Sequence, residues 1–212
     1  MRGSEVMMLF AYLTGFALSF SLILAIGSQN AFVLRQAILR QHIGAIVLFC
    51  AVSDALLIMV GVGGLSLLIA DFVDQLAPWL FGGAAIWLAG YGVLRLRDAL
   101  GNQALTADDQ PVGSLAASLA MAAILTFGNP HVYLDTVVLI GTVSLQFDGM
   151  AKMAFAAGAM TASLVFFVVL GYCGYLLSGF MRRPQSWRLL NSAIALIMFV
   201  LALAMLSAGG WV

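Results

Sequence analysis

Long apolar runs alternate with short polar turns along the chain, and each run has the length of a membrane crossing. A transmembrane helix needs about 20 predominantly apolar residues. Six stretches qualify, at 7–33, 43–69, 76–94, 114–145, 150–177 and 187–206. The first and fourth are near 30 residues, longer than one crossing requires, and polar residues interrupt both. The first holds Gly27-Ser28-Gln29-Asn30 and the fourth Gly128-Asn129-Pro130-His131. These interruptions fall at corresponding places in spans 1–3 and spans 4–6. An odd number of helices per half inverts the second half relative to the first. Paired interrupted helices in inverted halves point to a transporter's binding site. The pattern therefore predicts an all-α integral membrane protein of about six transmembrane helices. It arranges them as two inverted three-helix repeats, with helices 1 and 4 interrupted. One transmembrane transporter domain fills residues 1–212, with halves of about 1–98 and 114–212 and a linker of about 99–113. The wider stretch 95–113 holds the densest charge and reads as a loop.

The arginines orient the chain. Arg35 and Arg40 follow span 1, Arg95 and Arg97 follow span 3, and Arg182, Arg183 and Arg188 lie between spans 5 and 6. The opposite side carries only Arg2 and Lys152. Positive residues favour the cytoplasm, which puts these three loops inside and both termini outside. If span 1 does not cross fully, the N-terminus is cytoplasmic and five crossings remain. The first apolar stretch shows no small-residue cleavage site and reads as a retained span.

Composition agrees. The chain is 63% hydrophobic and 8% charged, against about 25% charged in soluble domains. Lipid must be its solvent. A net charge of zero gives no sign of a nucleic-acid partner. Cys50 and Cys173 form no CxxC pair or metal spacing and read as inert buried thiols. HExxH and GxSxG are absent, and His42 and His131 are far apart, so neither an enzyme nor a metal site is expected. Trp79, Trp187 and Trp211 sit near span ends, as interface anchors do.

The chemistry concentrates at the interruptions. Proline lacks an N–H and clashes with the carbonyl four residues back, so Pro130 frees the carbonyl of Thr126. Asn129 then caps a new half-helix that begins at Pro130, whose free N–H groups suit a carboxylate. Alternatively, Pro130 marks a simple kink. Gly27, Ser28, Gln29 and Asn30 make the partner break, or else the polar end of span 1. Asp54 sits in the middle of span 2. A mid-membrane aspartate costs about 2.5–3.5 kcal/mol. Its expected partner is a bound cation or a proton, with a hydrogen-bonded neutral acid as the alternative. His131 and Asp135 are four apart and share a helix face. That pair suits substrate binding or proton passage, or else local bracing of the break. Tyr133 lies between them and need not share that face.

At these motifs the chain resembles the lysine-exporter superfamily, in its basic amino-acid exporter branch. The matching residues run from Gly27 to Gln36 (GSQNAFVLRQ), then Ser53-Asp54, then Asn129 to Thr136 (NPHVYLDT), with Trp187-Arg188 and Asn191 in the last span. Ser28 departs from the family's usual proline, which makes the first break softer. The resemblance implies export of arginine, lysine or a similar amino acid across the cytoplasmic (inner) membrane, driven by the membrane gradient, with no cofactor. Proton coupling is the expected drive. Alternatives are a neutral amino-acid exporter of the same superfamily or a cation or metal-ion transporter. The expected partners are the amino acid, protons and the lipid bilayer, with a homodimer left open.

Overall fold

The computed structural model describes residues 2–24, 27–101, 113–129, 132–177 and 184–211, and helix is the only regular structure among them. The α-helices are α1 (Arg2–Leu24), α2 (Ser28–Ile38), α3 (Ile43–Val60), α4 (Ser66–Leu100), α5 (Leu115–Phe127), α6 (Ile140–Ser144), α7 (Gly149–Leu177) and α8 (Pro184–Ala208). Two wider π-helical segments join them: π1 (Gly61–Leu65) links α3 to α4, and π2 (Tyr133–Leu139) runs into α6.

Four described segments are long and apolar enough to cross a membrane: Gly3–Leu24, Ile43–Gly64, Gly149–Leu177 and Gln185–Ser207. Leu115–Phe127 and Tyr133–Ser144 are shorter apolar helices. Large apolar side chains cover the outside, among them Ile86 at 77% exposed and Leu189 at 70%. Water would not tolerate so continuous an apolar exterior. The chain is a multi-pass membrane protein.

Packing between the long helices relies on small residues, since lipid supplies no hydrophobic force to press helices together. Gly15 of α1 abuts the Phe155 backbone of α7, and Gly158 of α7 abuts the Tyr12 backbone. A second pair, α4 and α8, closes around Phe81, Leu88, Tyr91, Ile194, Met198 and Met205. Between these pairs, Phe32 and Val33 of α2, Ile46 and Cys50 of α3, Leu125 of α5 and Phe167 of α7 form a further buried cluster.

The turn that carries Arg40 meets Gly113, just before α5, and the far end of α7 at one end of the molecule. His42 Nε2 lies 2.9 Å from the Gly113 carbonyl oxygen, and the Gly113 N–H donates to Gln41 Oε1 at 3.4 Å. The Arg40 guanidinium sits 4.2 Å above the Tyr175 ring. At the other end, Phe10 meets Phe147 with ring centres 6.3 Å apart. There Trp211 Nε1–H also donates to the Pro78 carbonyl at 2.9 Å.

Several sequence expectations need correction. The turn expected between 69 and 76 lies earlier, in π1, because Gly64 adopts φ +96, which only glycine takes readily. Helix α4 then continues unbroken through Pro78 and on to Leu100. Arg95, Arg97 and Asp98 are therefore helical rather than part of a loop, and Arg95 pairs with Asp98 at 2.9 Å. The remaining linker, 102–112, lies outside the described residues. Trp187 is no surface anchor: it is 3% exposed and packs on Ile38 and Leu39. Cys50 is buried as expected, but Cys173 is exposed, facing away from the core.

Candidate functional site

The first break separates α1 from α2. Helix α1 stops at Leu24, and Gly27 caps α2 in an extended conformation (φ −91, ψ 176) without any side-chain cap. The first N–H groups of a helix have no intrahelical acceptors and carry positive partial charge. Asn30 ties the broken ends together, since its Nδ2–H donates to the Ile23 carbonyl at 2.9 Å.

The second break follows α5. The Gly128 N–H closes the last turn onto the Ile124 carbonyl at 2.8 Å. Helical geometry resumes at Val132, whose N–H donates to the Asn129 carbonyl at 3.1 Å. The Tyr133 hydroxyl donates to the Phe127 carbonyl at 2.9 Å, satisfying one end-of-helix acceptor. Pro130 and His131 lie outside the described residues, and with them the proposed carbonyl release and the His131–Asp135 pairing.

A cavity of about 220 Å³ lies between the breaks. The first break contributes Gly27, Gln29 and Asn30 to its wall, and the second contributes Asn129, Val132, Asp135 and Thr136. Asp54 enters from α3. Leu22, Ile23, Leu88, Phe167, Leu201 and Met205 complete an apolar lining. Drug-sized ligands occupy about 300–1,000 Å³, so this cavity suits one smaller metabolite.

Asp54 is 7% exposed, and one of its oxygens, Oδ2, accepts from Ser163 Oγ of α7 at 2.7 Å. Gln29 is 8% exposed and places its side-chain amide beside Cys50 of α3, at the edge of the cavity. None of the described lining residues carries a positive charge, whereas Asp54 and Asp135 are both acids. Among the described residues no group of three or more His, Cys, Asp or Glu side chains is placed to hold a metal ion.

Six of the sequence candidates thus meet at one cavity: Gly27, Gln29, Asn30, Asp54, Asn129 and Asp135. Ser28 and Gly128 do not line it. They share a smaller gap beside Trp87, where the two breaks touch. Tyr133 is also outside the lining, its hydroxyl committed to Phe127. Sequence reasoning missed Ser163 and Thr136. Thr136 follows Asp135 in the quoted motif and was within reach; Ser163 sits in an unremarkable apolar run and gave no signal.

A profile of the LysE type translocator family matches residues 20–209. A Mycobacterium tuberculosis protein, provisionally named an amino-acid transporter, is 41% identical over 182 residues, which cover 86% of this chain and 90% of that protein. The lysine exporter LysE of Corynebacterium glutamicum is 32% identical, covering 93% of this chain and 99% of its own. The arginine exporter ArgO of Pectobacterium atrosepticum is 37% identical, covering 94% and 98%. No solved structure matches. Over nearly its whole length, then, this chain belongs to the LysE-type translocator family.

Proposed function

We propose that this protein exports basic amino acids, arginine or lysine, across the cytoplasmic membrane in exchange for protons. One observation carries the reading: a cavity between two helix breaks holds two carboxylates and no described cationic side chain. Buried charge is costly unless paired. Ser163 supplies Asp54 with one hydrogen bond, and the cavity side of that carboxylate remains for a cation. A basic amino acid brings two cationic groups and one carboxylate. Asp54 and Asp135 bind the cations, and the positive N-terminal end of α2, at Gln29 and Asn30, receives the carboxylate. The names of the relatives, a lysine exporter and an arginine exporter, support amino-acid export.

Moving one positive charge outward against 100 mV, inside negative, costs about 2.3 kcal/mol. A proton moving inward through Asp54 or Asp135 cancels that charge movement. Protonation weakens the acid's hold on the substrate cation, which then leaves on the outer side. Deprotonation on the inner side restores binding. The moving parts are two inverted halves of one domain over residues 1–212, about 1–98 and 114–212. The six crossings are α1–α2, α3, α4, α5 through α6, α7 and α8. The paired breaks, after α1 and after α5, support that division.

The test is efflux of labelled arginine from proteoliposomes with an imposed pH gradient. Arginine and lysine, but not argininamide, are expected to compete. Competition by leucine instead would move the reading to a neutral amino-acid exporter. Competition by inorganic cations alone would move it to an ion transporter.

A further inference from the structure

Hydroxyls inside helices usually bond to their own helix, at the carbonyl three or four residues back. Five described hydroxyls of this chain follow that habit, while those of Ser19 and Ser28 are buried without a partner. Thr14 bonds to Phe10, Thr126 to Ala122 and Thr161 to Ala157. Ser21 bonds to Leu18 and Ser144 to Gly141. Ser163 does not. Its side chain is fully enclosed, and it crosses from α7 to Asp54 of α3 at 2.7 Å. Ser163 is absent from the cavity lining and so stands behind Asp54.

We propose that Ser163 is a positioning residue, whose hydroxyl holds the ionised Asp54 carboxylate against α7 and leaves Oδ1 for the cavity. A hydrogen bond to an ionised oxygen is about twice as strong as one between neutral groups, so the bond weakens when Asp54 is protonated. When Asp54 takes a proton, Ser163 gains a second option at the Ala159 carbonyl of its own helix. The bond between α3 and α7 is thereby linked to the charge on Asp54. Helix α7 is packed along α1, so the link ties the acid to the largest helix pair. The inference rests on the proposed role of Asp54 as the group that binds cation and proton.

Other titratable groups around Asp54 are few. Asp135 of π2 lines the same cavity, and Cys50 lies one turn earlier on α3. Helix α2 offers Gln29 at the cavity, with Arg35 two turns further along. Helix α7 offers Ser163; its Lys152 stands in the first turn, and Tyr172, Cys173 and Tyr175 near the far end. The described parts of α5, π1 and α6 contain no titratable side chain.

The test is carbodiimide labelling of Asp54 in lipid nanodiscs, read by mass spectrometry across pH. The reagent attacks only the protonated carboxyl, so the labelling midpoint reports proton affinity without requiring transport. A hydrogen bond to a charged group favours the charged form. Ser163→Ala is expected to move the midpoint up by about one pH unit. Ser163→Thr keeps the hydroxyl and is expected to return the midpoint to wild type. If Ser163 mattered only for packing, the added methyl of threonine would do more harm than alanine, and the order would reverse. Equal midpoints in wild type and Ser163→Ala overturn the proposal. A separate arm measures arginine efflux by Asp54→Asn. Wild-type efflux there would sink the assigned role of Asp54, while the labelling still decides whether Ser163 controls its charge.

Discussion

Tyr133 bridges the second break: its hydroxyl, 2.9 Å from the Phe127 carbonyl, spans the gap between the end of α5 and the start of π2. The bond satisfies a carbonyl that the helix end leaves open. Tyr133→Phe removes the donor and leaves that carbonyl unpaired, at a cost of about 1–2 kcal/mol. The melting temperature in detergent is expected to fall by about 2–6 °C, with arginine efflux retained within about twofold. Loss of efflux at an unchanged melting temperature would instead give the hydroxyl a direct part in transport.

Close approach of α1 and α7 makes a sharper demand. A methyl group on Gly158 would meet the Tyr12 carbonyl oxygen, and one on Gly15 would meet that of Phe155. Backbone atoms cannot step aside without parting the helices. Gly158→Ala is expected to destabilise by about 1–3 kcal/mol and to broaden the monodisperse peak in size-exclusion chromatography. Gly83, on the outer face of α4 with open space beside it, serves as the control. Gly83→Ala should leave the peak unchanged, since alanine is the better helix former.

Removal of either cavity acid tests the substrate-binding scheme. Truncating one partner of a buried charge pair costs about 2–5 kcal/mol. Asp54→Asn and Asp135→Asn should each lower arginine efflux at least about 30-fold, with the protein still present in the membrane at wild-type amounts. Full efflux by both variants would move the cation site elsewhere.

Trp187 offers a test in the opposite direction. It is 3% exposed, and its Nε1–H has no protein acceptor. Phenylalanine keeps most of the ring packed on Ile38 and Leu39 and discards the orphaned donor. Trp187→Phe is therefore expected to shift stability by less than about 1 kcal/mol, whereas Trp187→Ala should cost about 3–5 kcal/mol. Thermal melts of the two variants side by side check the contrast.

What the sequence reveals, and what it hides, follows from the solvent. Apolar length alone locates most of the helices, because lipid demands continuous apolar runs. The breaks at Gly27 and Asn129 are legible because polar residues interrupt those runs, and Asp54 because a charge there is rare. Ser163, Phe167, Leu201 and Met205 are not legible. A helix that is apolar all round shows no face, so its pattern cannot say which side chains turn inward. The turn at Gly64 was hidden for a related reason, since glycines are frequent in membrane helices and do not mark turns there. Trp187 misled because a tryptophan near a span end reads as an anchor, whether or not another helix covers it.

Helix α4 is 35 residues long, which at 1.5 Å per residue makes a rod of about 52 Å. The hydrocarbon layer is only about 30 Å deep. The part that follows Pro78 lies along α8, where Trp211 reaches the Pro78 carbonyl. Trp79 and Trp211 meet edge to face at 5.7 Å, both well exposed, as aromatic residues at the headgroup level are. The stretch from Trp79 to Asp98, about 30 Å long at that rise, is therefore the part of α4 that matches the depth of the layer, with the aromatic pair marking one end and Arg95, Arg97 and Asp98 the other.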